Sequence, residues 1–260
     1  MRVAIVGGSG VDVTALLDGV QERAVRTPFG DAVVAVGGWQ GREVVFLRRH
    51  GRGHTLPPHR VNYRANIAAL DELGCRRVIA TAAVGALTPA CDLGDLVAID
   101  QFLDFTSGRE SSFHDGGPDG VVHVDVTAPY CTDIRDTLLG VGREQGVTVH
   151  DGGTYVCAQG PRFETAAEIR MFQQLGGSVV GMTGVPEVVL ARERGLCYAT
   201  VAAVTNLAAG LRPDPVTHKE VLEAQAANAQ RLAAVLTATL SALPDEKRCG
   251  CALAPGPVGG

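Results

Sequence analysis

Short apolar runs rich in β-branched and small residues alternate with helix-patterned segments along most of the chain, and no other feature narrows its fold as far. Arg2–Val6, Ala32–Val36, Glu43–Leu47, Arg77–Ala83, Leu96–Ile99, Thr154–Cys157, Ser178–Met182 and Tyr198–Thr205 read as strands. Between them, Asn62–Leu73 places Tyr63, Ile67, Leu70 and Leu73 on one helical face and ends at Gly74, a residue suited to a helix C-cap. Thr165 with Glu168 forms a capping-box pattern ahead of Ile169, Phe172 and Leu175 and a Gly176–Gly177 stop. Thr217 with Glu220 forms a second, opening a long helix that runs to about Leu243, before Pro244. This alternation predicts an α/β protein. A length of 260 residues suits one large domain or two small ones; with no internal repeat, residues 1–245 read as one. The Gly/Pro-rich remainder, 246–260, is expected to be a mobile tail.

Charge and composition exclude several partners. The net charge is −5 with no basic run, which disfavours a nucleic-acid backbone. No stretch approaches the ~20 apolar residues of a membrane span, and the first residues form a strand instead of a signal-peptide core. A cytoplasmic protein is expected. The seven cysteines (Cys75, Cys91, Cys131, Cys157, Cys197, Cys249, Cys251) lie mostly in apolar runs and read as reduced, buried thiols. Cys249-Gly250-Cys251 is too tightly spaced for a zinc knuckle and lacks a second pair in the sequence, though it suits a labile redox pair.

Five segments at strand ends carry ligand-binding chemistry. Gly7-Gly8-Ser9-Gly10 offers amides and a hydroxyl that can cradle a phosphate, or forms a plain turn. It is neither a dinucleotide fingerprint, because Val13 takes the last glycine position, nor a P-loop. Arg48-Arg49-His50-Gly51-Arg52-Gly53-His54, with His59 and Arg60 beyond, puts a dense set of donors after a strand. In an open α/β sheet ligands bind at that edge, and an arginine fork matches phosphate; the bland alternative is a solvated basic loop. In Gln159–Glu164, Phe163 can stack on a flat ring and Glu164 can accept from an N–H donor, or merely complement a helix dipole. Gly181-Met182-Thr183, with Pro186-Glu187, and Thr205-Asn206 end two further strands.

Taken in order, GGSG (7–10), RHGRGH (49–54) with PPHRVNYRANI (57–67), DQFLDFTSGR (100–109), GPRFETAAE (160–168) and GMTGVPEVVLARERGLCYA (181–199) resemble the trimeric nucleoside phosphorylase family. That family includes methylthioadenosine, methylthioinosine and mammalian-type purine nucleoside phosphorylases, and the resemblance extends to about residue 243. It implies a single three-layer α/β/α domain with a central mixed, twisted sheet. It implies that phosphate displaces a purine from C1′ of a (deoxy)ribose, with no metal or organic cofactor, in a homotrimer whose sites are completed across subunits. The phosphate ligands implied are Ser9, Arg49, His50, the Ala83 backbone and Thr183, with Arg48 a second candidate arginine. Met182 is implied to pack under the sugar and Phe163 against the base. One departure is Ala82, where methylthioadenosine phosphorylases carry a threonine. Such a donor cluster suits the chemistry: an anionic nucleophile and a departing base flank a cationic sugar, so catalysis is mainly positioning and electrostatics.

Base choice follows from donors and acceptors. A 6-oxopurine presents N1–H and an O6 acceptor, whereas adenine reverses both. Glu164 accepts only, which suits N1–H, while Asn206 can donate to O6 and accept from a protonated N7. The chain reads Thr205-Asn206-Leu207-Ala208, without the two aspartates of the T-D-x-D pattern of methylthioadenosine enzymes. A 6-oxopurine preference is therefore expected, with Asn206 and His50 as the catalytic pair; adenine-specific methylthioadenosine phosphorolysis and nucleoside hydrolysis are the alternatives. The 5′ group is left open between hydroxyl and methylthio: His218 resembles the histidine of inosine/guanosine enzymes, while His54 and His123 look like the methylthio branch, where the latter comes from a neighbouring subunit.

Overall fold

Among the described residues, strand β5 (Arg77–Ala86) runs through the middle of an eleven-stranded mixed sheet. Its sequence is apolar or small on both alternating faces, the pattern of a strand covered on both sides. The computed structural model describes residues 2–8, 10–116, 120–214 and 216–251. Among them, β1 (Arg2–Gly7) and β11 (Cys197–Leu207) flank β5 in parallel. Beyond β1 lie parallel β4 (Arg42–Arg48), then antiparallel β3 (Gly30–Trp39) and β2 (Asp18–Thr27). β10 (Val179–Gly181) joins the end of β5 antiparallel and leads to β9 (Thr154–Ala158) and β7 (Gln101–Phe105). β6 (Leu96–Ala98) bridges β11 and β8 (Val149–Asp151).

Alternate residues of these strands feed two cores. On one face, Ala4, Val6, Val78 and Ala80 pack with Tyr63, Ile67 and Leu70 of α1 (Tyr63–Glu72) and Val188 and Leu190 of α4 (Gly184–Glu193). On the other, Val3, Ile5, Ile79 and Val201 meet Ile134 and Leu138 of α2 (Thr132–Gln145) and Leu232 and Leu236 of α5 (His218–Ala242). α3 (Ala166–Gln174) covers a smaller cluster around Leu87, Val156 and Val180. The result is the three-layer domain expected. Both capping boxes form, each with its reciprocal pair of hydrogen bonds. No helix among the described residues is long and apolar enough to cross a membrane.

Two parts of the sequence reading change. Residues 246–251 do not behave as the expected free tail: Arg77 is fully buried and donates to the carbonyls of Pro244 and Glu246, and the Arg248 amide donates to Asp133 (2.8 Å). A buried guanidinium needs acceptors, and this returning segment supplies them. Residues 252–260 lie outside the described residues. The Cys249/Cys251 pair also gains the partners it lacked in sequence, because the fold brings Cys131 and Cys197 against it.

Along β5, the pairing with β1 stops at Ala80 and that with β10 starts at Gly85. Among the described residues, 81–84 therefore pair with β11 on one edge and with no strand on the other. The carboxyl ends of β1, β4, β10 and β11 surround this gap.

Candidate active site

A cavity of about 360 Å³ fills the gap. Gly8 follows β1, Arg49 and His50 follow β4, Ala82–Gly85 belong to β5, Gly181–Thr183 end β10, and Thr205 and Asn206 lie on β11. Phe163 and Glu164 enter from the segment before α3, His54 from the loop after β4, and His218, Val221 and Gln225 from one face of α5. Strand ends at a switch in sheet order are the usual place for a ligand in such a fold, and the volume suits a nucleoside-sized molecule. Of the expected residues, Arg49, His50, His54, Ala83, Phe163, Glu164, Met182, Thr183, Asn206 and His218 all line this one cavity. His123 is exposed and does not line it, and Ser9 lies outside the described residues.

The basic loop is more committed than its sequence suggests. Arg49 is buried, and its Nε and Nη2 donate to the two carboxylate oxygens of Glu187, both at 2.7 Å, while Nη1 donates to Thr81 O at 2.8 Å. Glu187 also accepts from Tyr198 Oη at 2.6 Å. The bidentate edge expected to face phosphate thus faces a buried carboxylate, which needs that counter-charge. Arg49 reaches the cavity as a fixed positive charge beside Gly8 and the open edge of β5. Arg48, the second candidate, is spent on Asp12 (2.9 Å) and Glu22 (2.7 Å).

His50 also differs from the donor expected. Its Nδ1 lies 2.8 Å from Leu56 O. A carbonyl only accepts, so Nδ1 carries the proton and Nε2 holds a lone pair. Burial, reinforced by the Arg49 charge, lowers its pKa from 6.5 to about 4. The neutral ring is an acceptor, suited to the proton of monohydrogen phosphate or to a sugar hydroxyl. It stacks on His54 at 4.2 Å, and burial with neighbouring His218 lowers the pKa of His54 too. Thr183 opens α4, and its amide is anchored by Tyr155 Oη at 3.1 Å.

Asn206 sits at a register irregularity of β11, beside Gly85. Its Nδ2 donates to Leu207 O (2.8 Å) and its Oδ1 accepts from Thr205 Oγ1 (2.9 Å). These two bonds fix the amide orientation and leave one N–H and one lone pair. Burial raises the pKa of Glu164, which strengthens its carboxylate as an acceptor. Arg49 lies against Thr81 and Asn206 against Gly85, so the two are separated by roughly four residues of β5, or about 13 Å at strand rise.

Sequence reasoning missed two residues. Gln225 is buried, lines the cavity, and neither its Nε2 nor its Oε1 has a partner among the described residues. The signal was its spacing: residues 218, 221 and 225 share one helical face. Arg109, quoted only as part of a motif, ties the cavity walls together. Its Nη1 donates to Met182 O (2.8 Å) and Val185 O (2.9 Å), and its Nη2 to Gln159 O (2.8 Å).

Comparison with known proteins agrees with this geometry. The pattern of the Phosphorylase superfamily matches residues 2–241. A probable 6-oxopurine nucleoside phosphorylase of Moorella thermoacetica is 50% identical over 258 residues, 99% of each chain. The 6-oxopurine nucleoside phosphorylase of Pyrococcus furiosus is 50% identical over 256 residues, covering 96% of each chain. A probable S-methyl-5′-thioinosine phosphorylase of Methanothermobacter thermautotrophicus is 48% identical over 96% of this chain and 87% of its own. Among solved structures, methylthioadenosine phosphorylase from Schistosoma mansoni in complex with adenine superposes with a TM-score of 0.90 at 36% identity, over 95% of this chain and 93% of that one. With its sheet gap, its donor-lined cavity and these matches along nearly its whole length, the chain belongs to the phosphorylase superfamily.

Proposed function

We propose that this chain cleaves the N-glycosidic bond of 6-oxopurine nucleosides by phosphorolysis, releasing the free base and ribose 1-phosphate. The observation that carries the reading is the pairing of Glu164 and Asn206 in the cavity that also holds Arg49, His50 and Thr183. Glu164 accepts from N1–H. The remaining N–H of Asn206 donates to O6, and its remaining lone pair can accept a hydrogen bond from a protonated N7. As C1′–N9 breaks, the electron pair moves into the purine, and the Asn206 N–H bond to O6 strengthens with the growing charge. Phosphate lies toward the Thr81 end of the gap, attracted by Arg49, held by the Ala83 amide and Thr183, and donating its own proton to His50 Nε2. Inorganic phosphate is the co-substrate, and this route calls on no other cofactor.

The amide of Gln225, which has no partner among the described residues and lines the cavity with His54 and His218, favours a 5′-hydroxyl over a 5′-methylthio group, since a thioether would leave both amide atoms unpaired. Inosine and guanosine are therefore the preferred substrates. The assembly proposed is a homotrimer in which the exposed His123 serves a neighbouring subunit's cavity, and the location proposed is the cytoplasm.

The test is a panel of inosine, guanosine, methylthioinosine, adenosine and methylthioadenosine, each with and without phosphate. Phosphate-dependent turnover led by inosine or guanosine is the expected result. Turnover undiminished without phosphate, or methylthioadenosine as the best substrate, would overturn the reading.

A further inference from the structure

Away from the nucleoside cavity, the fold gathers four of the seven cysteines at one point. Cys131 precedes α2, Cys197 opens β11, and Cys249 and Cys251 lie on the segment that returns after Pro244. All four Sγ atoms lie within 4.8 Å of one another, and Cys197 and Cys249 approach to 3.4 Å. Cys131, Cys197 and Cys251 are buried and Cys249 is partly so. A tetrahedron of thiolates around zinc, with Zn–S bonds near ~2.3 Å, has S···S edges of about 3.8 Å. The sulfurs therefore already stand at nearly the spacing that one ion would impose.

The arrangement converges on a centre instead of splitting into pairs. Cys197 Sγ lies within 4.8 Å of the Cys131, Cys249 and Cys251 sulfurs alike. Two disulfides would instead demand two separate pairs, each bonded at about 2.05 Å. The surroundings also suit a dication ringed by four thiolates. Cys131 stands at the N-cap of α2, so the positive end of that helix lies beside the thiolates. A helix N-terminus offsets part of the negative charge of such a centre.

We propose that Cys131, Cys197, Cys249 and Cys251 bind one zinc ion in a closed, structural four-thiolate site that fastens the C-terminal segment to α2 and β11. On binding, four S–Zn bonds form and the thiol protons pass to solvent, with no change of oxidation state. All four positions are filled by protein, so the ion is not open to substrate. Cys197 and Asn206 lie toward opposite ends of β11, roughly 30 Å apart at strand rise, so the site is remote from the cavity.

The experiment uses the full chain, purified in reductant without chelator. Elemental analysis is expected to give one zinc per chain. Protein stripped of metal and reduced is expected to take up one equivalent of Zn2+, which shields four thiols from alkylation. Cobalt substitution is expected to give the sulfur-to-cobalt charge-transfer bands of a tetrahedral four-thiolate site. Cys249→Ser/Cys251→Ser is expected to lose affinity roughly a hundredfold or more and to melt lower, while inosine turnover at 25 °C stays unchanged. Should that variant fail to fold, the uptake and cobalt spectrum of the unmutated chain decide the question. The proposal is overturned if the reduced chain takes up no stoichiometric Zn2+. It is equally overturned if the four cysteines are recovered as two disulfides from reducing buffer, or if the double variant binds zinc as tightly as the parent.

Discussion

Asn206→Asp tests the base-recognition argument most directly. In the parent, Nδ2 donates to Leu207 O at 2.8 Å and Oδ1 accepts from Thr205 Oγ1 at 2.9 Å. The aspartate keeps the second bond but sets an oxygen against the Leu207 carbonyl, so a bond is lost and two buried acceptors face each other. Leaving such groups unsatisfied costs about 2 kcal/mol of stability, a melting shift of roughly 4–8 °C for a chain of this size. In the cavity the variant removes the donor to O6 and adds a negative charge beside it. Together these cost about 3 kcal/mol in the transition state for inosine, or roughly a hundredfold in kcat/KM. Adenosine, whose 6-amino group donates, escapes that penalty, so the adenosine-to-inosine ratio rises by a similar factor. Asn206→Ala separates the two effects, because it removes the donor without adding charge: inosine falls by about tenfold and adenosine gains nothing. The assay is kcat/KM for both nucleosides at saturating phosphate, with the base released followed chromatographically and thermal melts recorded alongside. An Asn206→Asp enzyme that keeps full inosine activity while folding normally would refute the donor–acceptor reasoning.

Gln225→Leu is expected to move selectivity toward the methylthio substrate, lowering the inosine-to-methylthioinosine ratio of kcat/KM by roughly tenfold; an unchanged ratio would remove Gln225 from the 5′ pocket. Arg109→Ala frees three carbonyls of the cavity wall, and we expect destabilisation of about 3 kcal/mol with a raised nucleoside KM and a nearly unchanged phosphate KM, checked by urea melts and steady-state kinetics. His50 gives a pH signature. Its folded pKa, about 4, lies below its ordinary 6.5, so the unfolded chain binds the proton first as pH falls. Stability is full above about pH 6.5 and drops through the window down to about 4, by up to about 3 kcal/mol; in His50→Gln that part of the pH dependence should vanish from denaturation curves.

Most strands that sequence reading found, such as β1, β5 and β11, are those whose side chains are buried on both faces. β2 was missed because Asp18–Thr27 is an edge strand, almost entirely exposed, whose polar sequence shows no alternation. α2 was obscured by Gly140 and Gly142, yet a side chain at Gly142 would collide with Val149, so the glycine serves close packing of the helix on β8. At the site, residue identity was legible and commitment was not. The sequence showed an arginine beside a histidine, but not that Glu187, far along the chain, would take the guanidinium fork, or that Leu56 O would fix the His50 tautomer. Such facts depend on contacts between distant segments. The cysteine cluster is the same lesson at greater range, since its ligands lie at positions 131, 197, 249 and 251 and meet only in the folded sheet.

The return of the C-terminal segment sets an order of events during biosynthesis. Arg77 is fully buried on a central strand, yet the carbonyls that satisfy it stand 167 and 169 residues further along. Until those residues have left the ribosome, the guanidinium must stay in water, and β5 cannot settle at its final depth between β1 and β11. The sheet therefore closes only once the segment after Leu243 has joined it, and a chain cut before Pro244 would strand a buried charge at a cost of about 3–5 kcal/mol. A few residues outside every helix and strand would then decide whether the whole molecule closes.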